Sequence, residues 1–306
     1  MRGIAAASVV AITICWAMPA LAAGEHSGQT EDGWLAELQE DVRADIAAGK
    51  PIVVEVHVPL CDNSVITCGG HGRGDGDDLQ RNLYWSTSEG LVGWMGRPGS
   101  GWSIAARLDG AATGIPDVLA VRVWQRSLEV PRSWRRPGMP VRFTVYLVGF
   151  AWRGLAIDHA LDAYLSDLYG DQSRAVALAT GGEVVAGGAA RIVGWVGHNR
   201  LMDVRADWKQ LARLNGSRRK GTLAVACYSA SYLKPAVRAP NRVPLLMTAS
   251  LVMASSAAFE SAVMAFLGGG DLAAIRSAGA TGYATGQKRP VERLLSAFTN
   301  PSDHRW

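Results

Sequence analysis

The chain has 306 residues, 48% of them hydrophobic and 19% charged, with a formal net charge of +4. That length accommodates one large domain with a sizeable core. The basic residues are scattered apart from Arg132, Arg135, Arg136 and the run Arg218-Arg219-Lys220, a spread that excludes a nucleic-acid footprint.

The start has the three parts of a secretory signal: Arg2, an apolar run from Ile4 to Ala17, and the small-residue site Pro19-Ala20-Leu21-Ala22. An uncleaved anchor competes with this reading, but Pro19 and the small residues behind it favour cleavage. Residues 1–22 are therefore expected to be a signal peptide and 23–306 a single periplasmic or secreted domain. No later run is long enough to span, so no stable membrane insertion is expected after cleavage.

Trp34 to Ala48 predicts an amphipathic helix with Leu35, Leu38, Val42 and Ile46 on one stripe and Gly49 as its cap. Ile52 to Val58, apolar except for Glu55, predicts a buried parallel strand. A loop over Cys61 to Asp78, a helix over Leu79 to Met95 and a second loop over Gly96 to Gly114 follow. Strands are expected at Val118 to Trp124 and Val141 to Phe150, then a helix over Leu155 to Leu168. Further strands are read at Ala190 to Val196, Thr222 to Ala226 and Pro244 to Thr248. A helix capped by Asp203 lies between the first two of these, and three helices close the chain: Ala254 to Leu267, Leu272 to Thr285 and Val291 to Phe298. Strands alternating with helices predict an α/β fold of three layers, a mostly parallel sheet with helices on both faces, of the flavodoxin-like kind.

Behind the signal stand three cysteines. Cys61 and Cys68, close together in a Gly-rich loop, are the natural disulfide pair in an oxidising compartment and leave Cys227 as the odd thiol. Zinc on Cys61, Cys68 and His71, completed by His57 or Asp62, is the competing reading. The run Gly74-Asp75-Gly76-Asp77-Asp78 offers three carboxylates, Asp75, Asp77 and Asp78, as an acidic substrate pocket, a calcium site or a solvated turn. The eleven tryptophans are dispersed and suit core packing.

In open parallel sheets, functional groups gather beyond the carboxyl ends of the strands. Ala190 to Val196 runs into Gly197-His198-Asn199, and Thr222 to Ala226 runs into Cys227-Tyr228-Ser229. One crossover between adjacent strands brings His198 and Cys227 to the same edge. A cysteine attacks carbonyls as its thiolate, and a histidine in reach takes its proton or protonates the leaving group. Asn199, Tyr228 and Ser229 flank the pair and offer N–H groups for an oxyanion.

An apolar strand ending in His, a crossover, and a strand ending in Ala226-Cys227 resembles the caspase-type (clan CD) cysteine peptidases. The resemblance covers about residues 185–250 and implies His198 as the assisting base and Cys227 as the nucleophile. The family's glycine after the histidine is Asn199 here. Over the whole chain, GHNRLMD and GDGDDLQRNLYW also resemble exported bacterial proteins of unknown activity. The expectation is an exported cysteine hydrolase, peptidase-like and without cofactor or metal, acting on a peptide or small molecule. A non-catalytic envelope binding protein of the same fold, and a metal-dependent hydrolase using the acidic loop with His71 or His57, are the alternatives.

Overall fold

The structure, a computed structural model, describes residues 31–237 and 239–306; the segment read as a signal peptide lies outside the described residues. Among the described residues no helix is long and apolar enough to cross a membrane.

Helix α1 (Glu31–Ala47) buries Leu35, Leu38, Val42 and Ile46, the stripe that its periodicity marks. Gly49, at φ 70°, turns the chain into β1 (Ile52–Pro59), every residue of which is buried. After a long loop come α2 (Leu91–Met95), β2 (Ser103–Asp109), β3 (Val118–Glu129) and β4 (Arg142–Trp152). Helix α3 (Ile157–Tyr169) leads to a small hairpin, β5 (Ser173–Ala177) and β6 (Glu183–Gly187). Then follow β7 (Ile192–Val196), α4 (Trp208–Ala212), β8 (Lys220–Val225), α5 (Ser229–Val237) and β9 (Arg242–Thr248). Helices α6 (Ser256–Leu267) and α7 (Leu272–Gln287) precede the two-residue β10 (Phe298–Thr299).

The main sheet has eight strands in the order β10-β9-β8-β7-β1-β4-β3-β2. Its five central strands, β9, β8, β7, β1 and β4, are mutually parallel, and β10, β3 and β2 join antiparallel at the margins. Alternation along the strands feeds two cores. Val54, Val56, Ile192, Val196, Leu223 and Val225 pack with α1, α6 and α7 on one face. Val53, Val193, Trp195 and Ala224 pack with α3 and α5 on the other. The three-layer α/β architecture read from the alternation of elements is the one observed.

Several local expectations are corrected. Leu79 to Gly90 forms turns, and only Leu91–Met95 is helical. Asn82 is the reason: its buried side chain accepts from the Cys61 and Tyr84 N–H groups and donates to the carbonyls of Cys61 and Asp75, so it organises a loop. The loop expected over Gly96 to Gly114 contains β2, whose facing partner β3 supplies the pairing. The β5–β6 hairpin and α5 were not read from the sequence. Asp203 closes the 3-10 turn Arg200–Met202 and does not start α4; Asp207 is the N-cap of α4, accepting from the N–H groups of Lys209 and Gln210. The last expected helix, Val291 to Phe298, is two short 3-10 turns ending in β10.

Candidate active site at the carboxyl edge of β7 and β8

Strands β7 and β8 are parallel neighbours with Val196 opposite Val225, so His198 and Cys227 each stand two residues beyond a matched pair. The ladder continues past the strand ends through a 3.4 Å bond from the Gly197 N–H to the Val225 carbonyl. Both residues are partly exposed at this edge.

The two side chains are held by different partners. His198 donates from Nε2 to Asp203 Oδ2 at 2.7 Å, while its buried Nδ1 has no hydrogen-bond partner. A carboxylate accepts only, so the neutral ring carries its proton on Nε2 and presents a lone pair at Nδ1. Arg200 reaches Asp203 Oδ2 at 3.4 Å and clamps Asp158 of α3 through two bonds of 2.6 and 3.0 Å, which fixes this turn against the helix. The Cys227 thiol points to the Val252 carbonyl at 3.3 Å.

Asn199 ties the two strand ends together. Its buried amide donates to the Cys227 carbonyl at 2.6 Å, and its carbonyl oxygen accepts from the Leu201 N–H. The Asn199 side chain is thereby committed, whereas its own N–H has no acceptor among the described residues. Tyr228 adopts φ 50°, a left-handed conformation uncommon for a residue with a Cβ, at the turn from β8 into α5. Its N–H is taken by the Ser250 carbonyl. Ser229 is fully buried and bonded to Ala224 and Thr248, a brace between β8 and β9.

The acidic loop leaves β1 at the same edge. Its disulfide is formed: Cys61 and Cys68 are joined with their Cα atoms 6.0 Å apart, which removes the zinc alternative built on them. Gly76 lies directly on the exit of β4, where a Cβ would stand 2.9 Å from Gly154 Cα, so only glycine allows the approach. The three carboxylates are engaged within the loop and its neighbour. Asp77 pairs with Arg153 at 2.5 Å, Asp78 binds Arg81 and the Gln80 N–H, and exposed Asp75 accepts from the Asp77 N–H. The Gln80 N–H, helped by Arg81, holds Asp78 below the usual carboxylate range.

Two groups near the thiol escaped the sequence reading. Burial, and then the neighbouring Cys227, push the Tyr84 phenol up to about 12. Tyr283, also raised by burial, accepts the Met253 N–H at 3.0 Å. Asp203 escaped as well, although GHNRLMD contains both the histidine and its partner; placing Asp203 at a helix start hid the pairing.

A second polar cluster lies in the core under α3, away from this edge. Glu55 and His57 project from β1 toward Asp167, with His57 Nε2 3.5 Å from Glu55 Oε1 and 3.3 Å from Asp167 Oδ2. These three are within metal-ligating distance of one another, yet the donor set does not fit a cation. Trp152 donates to His57 Nδ1 at 3.1 Å, and an indole only donates, so the neutral ring's proton occupies Nε2, the atom a metal would need. Arg174 also sits 3.1 Å from Asp167 Oδ2, and Lys220 is buried beside the cluster, donating to the Asp167 and Gly170 carbonyls. Burial, with Asp167 nearby, raises Glu55 to about 7. Burial disfavours charge on Asp167 too, but His57 and Arg174 outweigh it and hold that carboxyl low. The cluster is a buried polar knot in which His57 Nε2 and Glu55 Oε1 stand at ion-pair distance without a hydrogen bond, and the metal alternative using His57 loses its basis.

Comparison with protein-family models, with curated proteins and with solved structures returns no match.

Proposed function

We propose that the chain is an exported cysteine hydrolase, peptidase-like, with Cys227 as nucleophile and His198 as its general base. The observation that carries this reading is the state of His198. Asp203 fixes one ring nitrogen, and the other is unpartnered at the strand end that lies beside Cys227. A base oriented by a third group is the arrangement that activates a weak nucleophile.

In this chemistry the thiol leaves the Val252 carbonyl and gives its proton to His198 Nδ1. The sulfur attacks the substrate carbonyl carbon, forming a C–S bond. The imidazolium then passes its proton to the leaving amine as the C–N bond breaks, and water cleaves the acyl-thioester to free the acid and the thiol. The unbonded Asn199 N–H is a main-chain donor open to the oxyanion, in the place where caspase-type peptidases use a glycine. The signal-like start and the formed disulfide support an oxidising, extracytoplasmic location.

The test is turnover of a casein or peptide mixture by the mature chain. Cys227→Ala should abolish it with the fold unchanged; undiminished turnover would assign the chemistry elsewhere, and no turnover by the wild type would leave a binding protein.

A further inference from the structure

Large exposed hydrophobic side chains are unevenly placed. Of the ten among the described residues, Met202, Tyr228, Tyr232, Leu251, Met253 and Leu155 follow the carboxyl ends of β7, β8, β9 and β4. Leu251 is 67% exposed and Met253 45%, values that water does not favour for such side chains unless something covers them.

Four of these six fall into two groups, one in the groove that holds Asp203 and one on the segment bonded to the Cys227 thiol. On one side Met202, Tyr232 and Trp208 line a groove of about 470 Å³ that also contains Asp203, the partner of His198. On the other side the segment carrying Leu251 and Met253 is tied down beside the thiol. Ser250 accepts the Tyr228 N–H at 2.9 Å, Val252 takes the thiol proton at 3.3 Å, and Tyr283 takes the Met253 N–H at 3.0 Å. Each patch is short, and the first is interrupted by the polar Asp203 and Ser231, which line the same groove.

We infer that these two patches receive bulky apolar side chains of an extended peptide, one on each side of the bond presented to Cys227. The inference rests on Cys227 being the nucleophile, and it adds the substrate class. A peptide fits because it carries separate side chains on a polar backbone; a fatty acyl chain would call for one continuous apolar channel. Covering one Leu-sized side chain is worth about 1.5–3 kcal/mol at most, so each patch should contribute roughly tenfold to hundredfold in affinity.

The experiment measures binding, so that it does not depend on turnover. Fluorescein-labelled decapeptides with Leu and Phe flanking a central bond, and their Ser-substituted counterparts, are titrated into full-length mature Cys227→Ala protein and followed by anisotropy. The apolar peptides should bind at least tenfold more tightly than the Ser versions. Adding Leu251→Ser with Met253→Ser, or Met202→Ser with Tyr232→Ser, should each remove most of that advantage while circular dichroism stays unchanged. Equal affinities, no binding, or a preference that survives both pairs would overturn the inference, as would dodecanoate binding better than any peptide and displacing it. Failure of the hydrolase reading would appear separately, as no Cys227-dependent release of thiol from a small acetyl thioester by the wild-type chain.

Discussion

His198 Nε2 and Asp203 Oδ2 lie 2.7 Å apart, and this one bond decides which nitrogen of the imidazole is free. With Nε2 held, Nδ1 is the basic atom, and it is buried without a partner. Asp203→Asn should keep the fold but let the ring take the wrong tautomer, because an amide can present its NH₂ to Nε2. Turnover should fall by about 10²–10⁴, with KM little changed, as measured by steady-state kinetics on a peptide substrate.

Asn199 joins the two strand ends through the Cys227 carbonyl. Asn199→Ala removes that donor and the acceptor for Leu201, leaving buried backbone groups unpaired at a cost of about 1–3 kcal/mol. Denaturant unfolding should show this loss, and activity should fall as well because the thiol's own backbone is released. A variant of unchanged stability would contradict the clamp.

The Cys61–Cys68 bridge closes a short loop, for which chain-entropy arguments allow about 2–3 kcal/mol. Cys61→Ser with Cys68→Ser should lower thermal stability by that order, and reducing agent should do the same to the wild type and nothing to the variant. Because the bridged loop leads through Asn82 to Tyr84, near the thiol, loss of activity should precede global unfolding.

Glu55 gives a pH dependence of definite sign. Its pKa in the folded state, about 7, lies above the ordinary value of 4.5, so the native state binds the proton more tightly than the unfolded chain. Its stabilising contribution is complete below pH about 4.5 and is lost as pH rises through 7. Asp167, held low, contributes in the opposite sense, losing its stabilisation only under acid conditions. Glu55→Gln can still accept from the Gly187 N–H and should flatten the decline between pH 5 and 8 in urea titrations. An unchanged pH slope would contradict the account of the buried knot.

What the sequence disclosed follows from where its signals are local. Continuous apolar runs in β1, β7 and β8 gave the sheet and its carboxyl edge, and the single crossover between β7 and β8 gave the adjacency of these two strands, because parallel neighbours with one connecting helix leave few alternatives. Loop geometry was not legible. Asn82 turns a helical-looking stretch into a folded loop through contacts with Cys61, 21 positions away, and Asp203 trades a helix-start role for the histidine. The Glu55–His57–Asp167 knot joins two alternate polar positions of one strand to a helix residue far along the chain, which spacing alone does not reveal.

The central claim is that His198 activates Cys227, and the rate of alkylation by iodoacetamide at pH 6 tests it most directly. Native wild-type and His198→Ala proteins are reacted under identical conditions, and modification of Cys227 is followed by peptide mass spectrometry. The account expects Cys227 to react in the folded protein and His198→Ala to slow that reaction by about tenfold or more, since the thiolate would lose its proton acceptor. Equal rates in the two proteins, or a thiol inert until the chain is denatured, would contradict it.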